Sequence, residues 1–153
     1  MARIEDIPQP TRDAVLAVPC PQYDTTPFVT GPALTHRRIA ILSSAALIPR
    51  GDPPFPFGSA EVRFIPASVS PKDLLVSHVS INFDRAGFQR DVNVVFPLDR
   101  LRELAADGVI GGVADTQYTV MGSTDPAGME EAANAVADRM RAEGADSLLL
   151  APV

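Results

Sequence analysis

The chain holds a single cysteine, Cys20, and a single lysine, Lys72, in 153 residues. One thiol excludes an internal disulfide framework, and Cys20, flanked by prolines, is expected to be inert. Metal-ligand spacing is missing as well, because His36 and His78 stand far apart and Cys20 has no partner at finger spacing. No metal site is expected. Positive charge is scarce, with 13 Lys plus Arg against 19 Asp plus Glu and a net charge of −6. Nucleic acids and anionic membranes both select clustered positive charge, so neither is expected as a partner. No run approaches the roughly 20 apolar residues of a membrane span. The opening M-A-R-I-E-D-I-P lacks the apolar stretch of a signal peptide. These absences together lead to an expected cytoplasmic location. There is also no phosphate loop of the G-x-x-x-x-G-K type, no G-x-G-x-x-G after the first strand and no G-x-S-x-G elbow.

Proline, by contrast, is plentiful, and most of the 15 prolines fall in the first half. Residues 1–35 contain P-Q-P-T, P-C-P-Q-Y and T-T-P-F, which no long helix can cross. This segment is expected to be an arm that wraps the domain, with one short helix near Arg12 to Val18. Residues 36–153 are expected to form one α/β domain, for which 46% apolar and 21% charged residues are an ordinary composition.

Arg37–Leu42 has a basic start and an apolar run, as in a buried parallel strand, and Ser43 and Ser44 follow in a small-residue turn. Glu61–Pro66 alternates like a strand, whereas Leu74–His78 fits a strand or a loop. The polar, aperiodic stretch 82–93 is expected to be a loop. Leu98, Leu101, Leu104 and Ala105 share one helical face, with Gly108 as its stop. Val109–Ala114 and Tyr118–Met121 are expected strands. Pro126–Ala142 is the clearest helix: Asp125 can cap it, Met129, Ala132, Ala133, Val136 and Met140 form its apolar stripe, and Gly144 ends it. Ser147–Leu150 is the last expected strand. Strands alternating with helices at this spacing predict a mostly parallel sheet in a flavodoxin-like three-layer sandwich.

Ligands of open α/β sheets gather beyond the carboxyl ends of the strands. Ser43 and Ser44, and Gly122 after Y-T-V-M, are therefore expected to line a substrate-binding rim. A second concentration of polar groups runs from His78 through Asn82, Asp84, Arg85, Arg90, Asp91 and Asn93 to Asp99 and Arg100. His78 is the candidate catalytic proton donor, and Asp91 and Asn93 are candidate substrate contacts. The alternatives are ordinary ones: a hydrogen-bonded half-buried histidine, turn caps at Asp91 and Asn93, a macrodipole contact at Asp99 and solvated arginines.

Several stretches together resemble the selenoprotein B family of the glycine, sarcosine, betaine and D-proline reductases. They are R-R-I-A-I-L-S-S-A-A-L, the long block S-H-V-S-I-N-F-D-R-A-G-F-Q-R-D-V-N-V-V-F-P-L-D-R-L-R-E-L-A-A-D-G-V-I-G, then Y-T-V-M-G and G-A-D-S-L-L-L-A-P-V. The resemblance covers the chain from about Pro32 onward. It implies reductive C–N cleavage on a small amino acid or related carboxylate or amine, with electrons from a thiol donor or redox subunit. In such relatives a segment like L-L-x-P-V precedes a redox selenocysteine or cysteine. Here the sequence ends at Val153, so it is expected to be an N-terminal part that lacks this nucleophile and brings no cofactor of its own. A selenocysteine codon read as a stop and a natural or engineered half-protein both fit that ending. A sheet cut at this point would expose an edge or an apolar face, so homo-oligomers are expected. A non-catalytic small-molecule-binding or subunit-interaction domain is the alternative. A racemase-like isomerase is disfavoured because the chain has no pair of cysteines.

Overall fold

A computed structural model describes residues 3–19, 22, 24–80 and 83–153. Among these, seven strands and four α-helices alternate as β1 (Arg38–Ser43), β2 (Leu47–Pro49), β3 (Val62–Pro66), β4 (Leu74–Val76), α2 (Ala86–Arg90), α3 (Leu98–Ala106), β5 (Gly112–Val113), β6 (Thr116–Val120), α4 (Glu130–Glu143) and β7 (Ser147–Ala151), preceded by α1 (Gln9–Leu16). The fold is α/β with a mostly parallel, mixed sheet. β1 is its hub: β5, β6 and β7 all run parallel to it, and β3 adds antiparallel to β6. β5 and β6 share one edge of β1, and β7 takes the other. β2 and β4 form a separate antiparallel pair.

The shared edge contains a bulge. Ile39 pairs with Val113 and Leu42 with Tyr118, so β1 advances three residues while its partner advances five. A bulge strands backbone groups, and a side chain repairs this one. Gln117, fully buried, accepts the Ile41 N–H at 2.7 Å and donates to the Ala114 carbonyl at 2.6 Å. Thr119, also buried, takes the Leu47 N–H on its hydroxyl at 2.8 Å.

Residue alternation along β1 sorts the helices onto opposite faces. Ile39 and Ile41 pack with Leu98, Leu101 and Ala105 of α3. Ala40 and Leu42 pack with Val136 and Met140 of α4. α4 begins with Glu130 and Glu131, which suit a helix N-terminus. It ends at Gly144, in the left-handed region at φ +66°, and Arg38 Nη1 donates to the Glu143 carbonyl at 2.5 Å. Arg38 also reaches Asp115 at 2.7 Å, tying the start of β1 to the β5–β6 segment.

Some elements differ from their sequence expectation for local reasons. The strand expected over 109–114 is reduced to Gly112–Val113, and Gly111 before it lies against the backbone of His36, where a Cβ would be 2.5 Å away. The expected loop over 82–93 contains α2 and a 3₁₀ turn at Val92–Val94. Asp84 accepts the Ala86 N–H and Asp91 the Asn93 N–H, so short polar side chains replace periodicity as the organising signal. The helix expected from Pro126 opens as a 3₁₀ turn, Pro126–Gly128, capped by Asp125, with α4 proper starting at Glu130. Nothing in the apolar run at 47–49 announced β2, which was not expected as a strand. Cys20 and Asn82 lie outside the described residues.

Candidate functional site

The carboxyl end of β1 is built by close backbone approach. Ser44 donates its N–H to the Ala151 carbonyl of β7 at 3.2 Å, and its own carbonyl accepts the Gly122 N–H at 3.0 Å. The ends of β1, β6 and β7 therefore converge on one residue. Gly122 permits this: a Cβ there would sit 2.7 Å from the Ser44 oxygen. The Ser44 hydroxyl accepts the Val153 N–H at 2.9 Å, and its hydrogen has no acceptor among the described residues. A small cleft of about 140 Å³ opens here between Leu42, Ser44, Val120, Leu150, Ala151 and Pro152. Immediately beyond, Ala46 is held at φ +51°, a conformation costly for a residue with a Cβ. Its N–H bonds the Val120 carbonyl and its carbonyl accepts from Ser77.

Ser43, expected beside Ser44 as a substrate contact, points the other way. Its hydroxyl is fully buried, donates to the Val95 carbonyl at 2.7 Å and accepts the Ala45 N–H at 3.2 Å. Both capacities are used internally, so Ser43 fastens the 92–95 segment to the strand end. Asp91 and Asn93 lie apart from the Ser44–Gly122 rim. They line a cleft of about 390 Å³ with Lys72, Phe88, Arg90 and Asp99. Asn93 links Asp91 to the start of α3, donating to both carboxylates and accepting the Asp99 N–H at 3.1 Å. The hydrogen bonds from the backbone and side chain of Asn93 hold the Asp91 carboxyl below its usual range, with Arg100 adding to the effect.

His78 follows Ser77, the residue bonded to Ala46, and is buried against Phe83, with ring centroids 4.9 Å apart. Its Nδ1 accepts the Ser80 N–H at 3.1 Å, which assigns the ring proton to Nε2. Nε2 has no hydrogen-bond partner among the described residues. Burial, and secondarily Arg85, whose guanidinium donates to the His78 carbonyl, push its pKa below 6.5. At neutral pH His78 is thus an uncharged donor. The lowered value has a stability consequence with a definite sign. The unfolded histidine takes up a proton near pH 6.5, whereas the folded one does so only at lower pH. Its contribution is complete above that pH and is lost as pH falls toward the folded value. His78→Gln is expected to flatten the decline in stability below pH 6.5, measured by urea unfolding between about pH 5 and 7.5. An unchanged slope would place that proton uptake elsewhere.

Sequence reasoning missed Gln117, Thr119 and Tyr118. Tyr118 is wholly buried, meets Phe64 edge-on at 5.7 Å, and has a pKa pushed up to about 12 by burial and by nearby Glu143. The available signal was T-Q-Y-T-V itself, polar residues on a strand whose neighbours leave no solvent face. Among the described residues no cluster of His, Cys, Asp or Glu has the arrangement of a metal site, and no helix is long and apolar enough to cross a membrane.

These features define an α/β domain with a small rim where parallel strands end, the position at which such sheets bind ligands. The chain belongs to the glycine/sarcosine/betaine reductase selenoprotein B family, whose sequence model matches residues 16–152. It is similar to the D-proline reductase subunit gamma of Acetoanaerobium sticklandii, 30% identical over 120 residues that cover 76% of this chain and 49% of that protein. It is also similar to the glycine reductase complex component B subunit gamma of Carboxydothermus hydrogenoformans, 30% identical over 141 residues, 87% of this chain and 32% of that protein. The sarcosine reductase complex component B subunit beta of Peptoclostridium acidaminophilum is 28% identical over 112 residues, 69% of this chain and 25% of that protein. The chain therefore spans about half the length of the first of these relatives and a third or less of the others. No solved structure matches it.

Proposed function

We propose that this chain is the substrate-holding α/β part of a cytoplasmic amino-acid reductase component, acting on a small amino acid or related carboxylate in reductive C–N cleavage. The observation that carries the proposal is the convergence of three strand ends on Ser44, in a chain whose relatives are named as glycine, sarcosine and D-proline reductase components. The Ser44 hydroxyl is free to donate to a carboxylate, whereas His78, the expected proton donor, keeps its Nε2–H buried and does not line that cleft. Gly122 keeps the rim closed. A selenol or thiol held beside the carboxyl end of β7 would supply the nucleophile, being readily ionised at neutral pH. The walls Leu42, Val120 and Leu150 give that cleft an apolar lining. Electrons would come from a dithiol donor or a partner redox subunit. The faces covered by α3 and α4 also support reading the sheet as flavodoxin-like, with residues 1–35 as a Pro-rich arm.

The test is ligand protection. Glycine, sarcosine, betaine and D-proline are titrated against the chain by thermal unfolding. One of them is expected to raise the midpoint, by an amount that corresponds to about 2.7 kcal/mol at a hundredfold excess over Kd. Ser44→Ala is expected to abolish the shift while leaving the unliganded midpoint within about 1 kcal/mol of wild type. No shift from any of the four at tens of millimolar, or an undiminished shift in Ser44→Ala, would refute the assignment.

A further inference from the structure

Lys72 and Arg90 line the cleft that holds Asp91 and Asn93, yet neither side chain makes a hydrogen bond or ion pair among the described residues. Lys72 lies in the 3₁₀ turn that leads into β4, and Arg90 is the last residue of α2. Neighbouring arginines are engaged. Arg102 pairs with Asp99 at 2.6 Å, Arg100 with Glu103 at 2.8 Å, and Arg85 donates to the His78 carbonyl.

Asp91 lines the same cleft with only one carboxylate oxygen in use. Oδ1 accepts the backbone N–H of Asn93 at 2.9 Å and its side-chain amide at 2.8 Å. Oδ2 accepts nothing among the described residues. Asn93 is itself fixed by Asp99, donating to its carboxylate and accepting its N–H. Asp91 is therefore oriented by a fixed amide, with its second oxygen open. Between these charges, the buried Leu74 and the half-buried Phe88 add apolar lining. The volume, about 390 Å³, is that of a small-ligand pocket.

We propose that this cleft binds a free acidic amino acid, its ammonium on Asp91 Oδ2 and its two carboxylates on Lys72 and Arg90. Unpaired charges of both signs in one cleft select a ligand that carries both. A simple amino acid such as glycine leaves one cation unmatched. A dicarboxylate without an amine brings nothing for Asp91 and is repelled by it. The Arg90 guanidinium can take a carboxylate through two parallel N–H groups, and Lys72 can take the other as a point charge. Exposed ion pairs are individually weak, so recognition depends on all three acting together. The cleft is separate from the Ser44 rim, and its ligand does not depend on the substrate assigned there.

The experiment uses the full chain carrying Ser44→Ala, which removes the rim contact and leaves the cleft. L-Glutamate, glycine and glutarate are titrated into it by calorimetry. Glutamate is expected to saturate one site, with a Kd at least about tenfold below those of the other two. The wild-type chain is expected to give the same glutamate Kd. Asp91→Asn keeps the oxygen that accepts from Asn93 and removes the charge, and Arg90→Gln alters an exposed side chain. Each is expected to weaken glutamate binding at least about tenfold, with an unfolding midpoint close to wild type. No saturable heat at tens of millimolar would overturn the proposal. So would glutarate binding as tightly as glutamate, or undiminished affinity in either variant. Glutamate binding seen only with Ser44 present would overturn it as well, and would move that ligand to the rim.

Discussion

Gln117→Ala is expected to cost about 3–5 kcal/mol of folding free energy, the largest effect of any single polar substitution in the sheet. The change removes the acceptor for the Ile41 N–H and the donor to the Ala114 carbonyl, both in the buried bulge between β1 and the β5–β6 segment. Each buried backbone group left without a partner costs about 1–3 kcal/mol, and the missing side chain adds a cavity. Against a typical total of about 5–15 kcal/mol, that loss leaves the domain marginal. Urea unfolding measures it directly. Gln117→Leu restores volume but neither hydrogen bond, so it is expected to recover only the cavity part. Gln117→Glu keeps an acceptor for Ile41 but buries an unpaired carboxylate against the Ala114 carbonyl, and is expected to cost at least as much as alanine at neutral pH. A cost under about 1 kcal/mol for alanine would mean that the bulge is satisfied without Gln117.

The second large effect is expected at a position on the surface. Gly122 is exposed, and exposed substitutions are usually close to neutral. Gly122→Ala is nonetheless expected to destabilise by about 2–3 kcal/mol. The added Cβ would meet the Ser44 carbonyl oxygen at 2.7 Å, and a backbone atom cannot swing away as a side-chain tip can. Relief requires β6 to withdraw from the β1 turn, which breaks the Gly122 N–H to Ser44 bond. For a domain of this size each kcal/mol lowers Tm by about 2–4 °C, so thermal unfolding is expected about 5–10 °C lower. The same withdrawal distorts the rim. Ligand protection in Gly122→Ala is therefore expected to fall as far as in Ser44→Ala. A variant with wild-type Tm would show that the rim relaxes freely.

Where burial follows periodicity, the sequence was readable. The β1 strand, α3, α4 with its Gly144 stop, and β7 all lie within a residue or a turn of their expected positions, because apolar spacing and glycine stops are local signals. The antiparallel run of β3 was not readable, since strand direction depends on partners distant in the chain. The same holds for the bulge: Gln117 falls between the two expected strands, and its role depends on β1, distant in the chain. Within the site, Ser44 and Gly122 were reached through the strand-end rule, and they do meet. Ser43 was grouped with Ser44 by adjacency, yet successive strand residues face opposite ways, and its hydroxyl is bound to Val95. Asp91 and Asn93 were joined to His78 by closeness in sequence, whereas the intervening helix α2 leads to a separate cleft against α3.

The pairing pattern of β1 also sets an order of events at the ribosome. β1 comprises residues 38–43, but the strands it pairs with comprise residues 112–113, 116–120 and 147–151. β3 in turn waits for β6. Before residue 112 is made, the short β2–β4 pair is the one strand pairing available among the described residues. At about 5–20 residues per second, Ile39 and Ile41 spend several seconds outside the tunnel with both strand edges open. Contacts of such sequence separation also close slowly. Nascent chains of this protein thus keep an unpaired β1 edge open until β7 emerges.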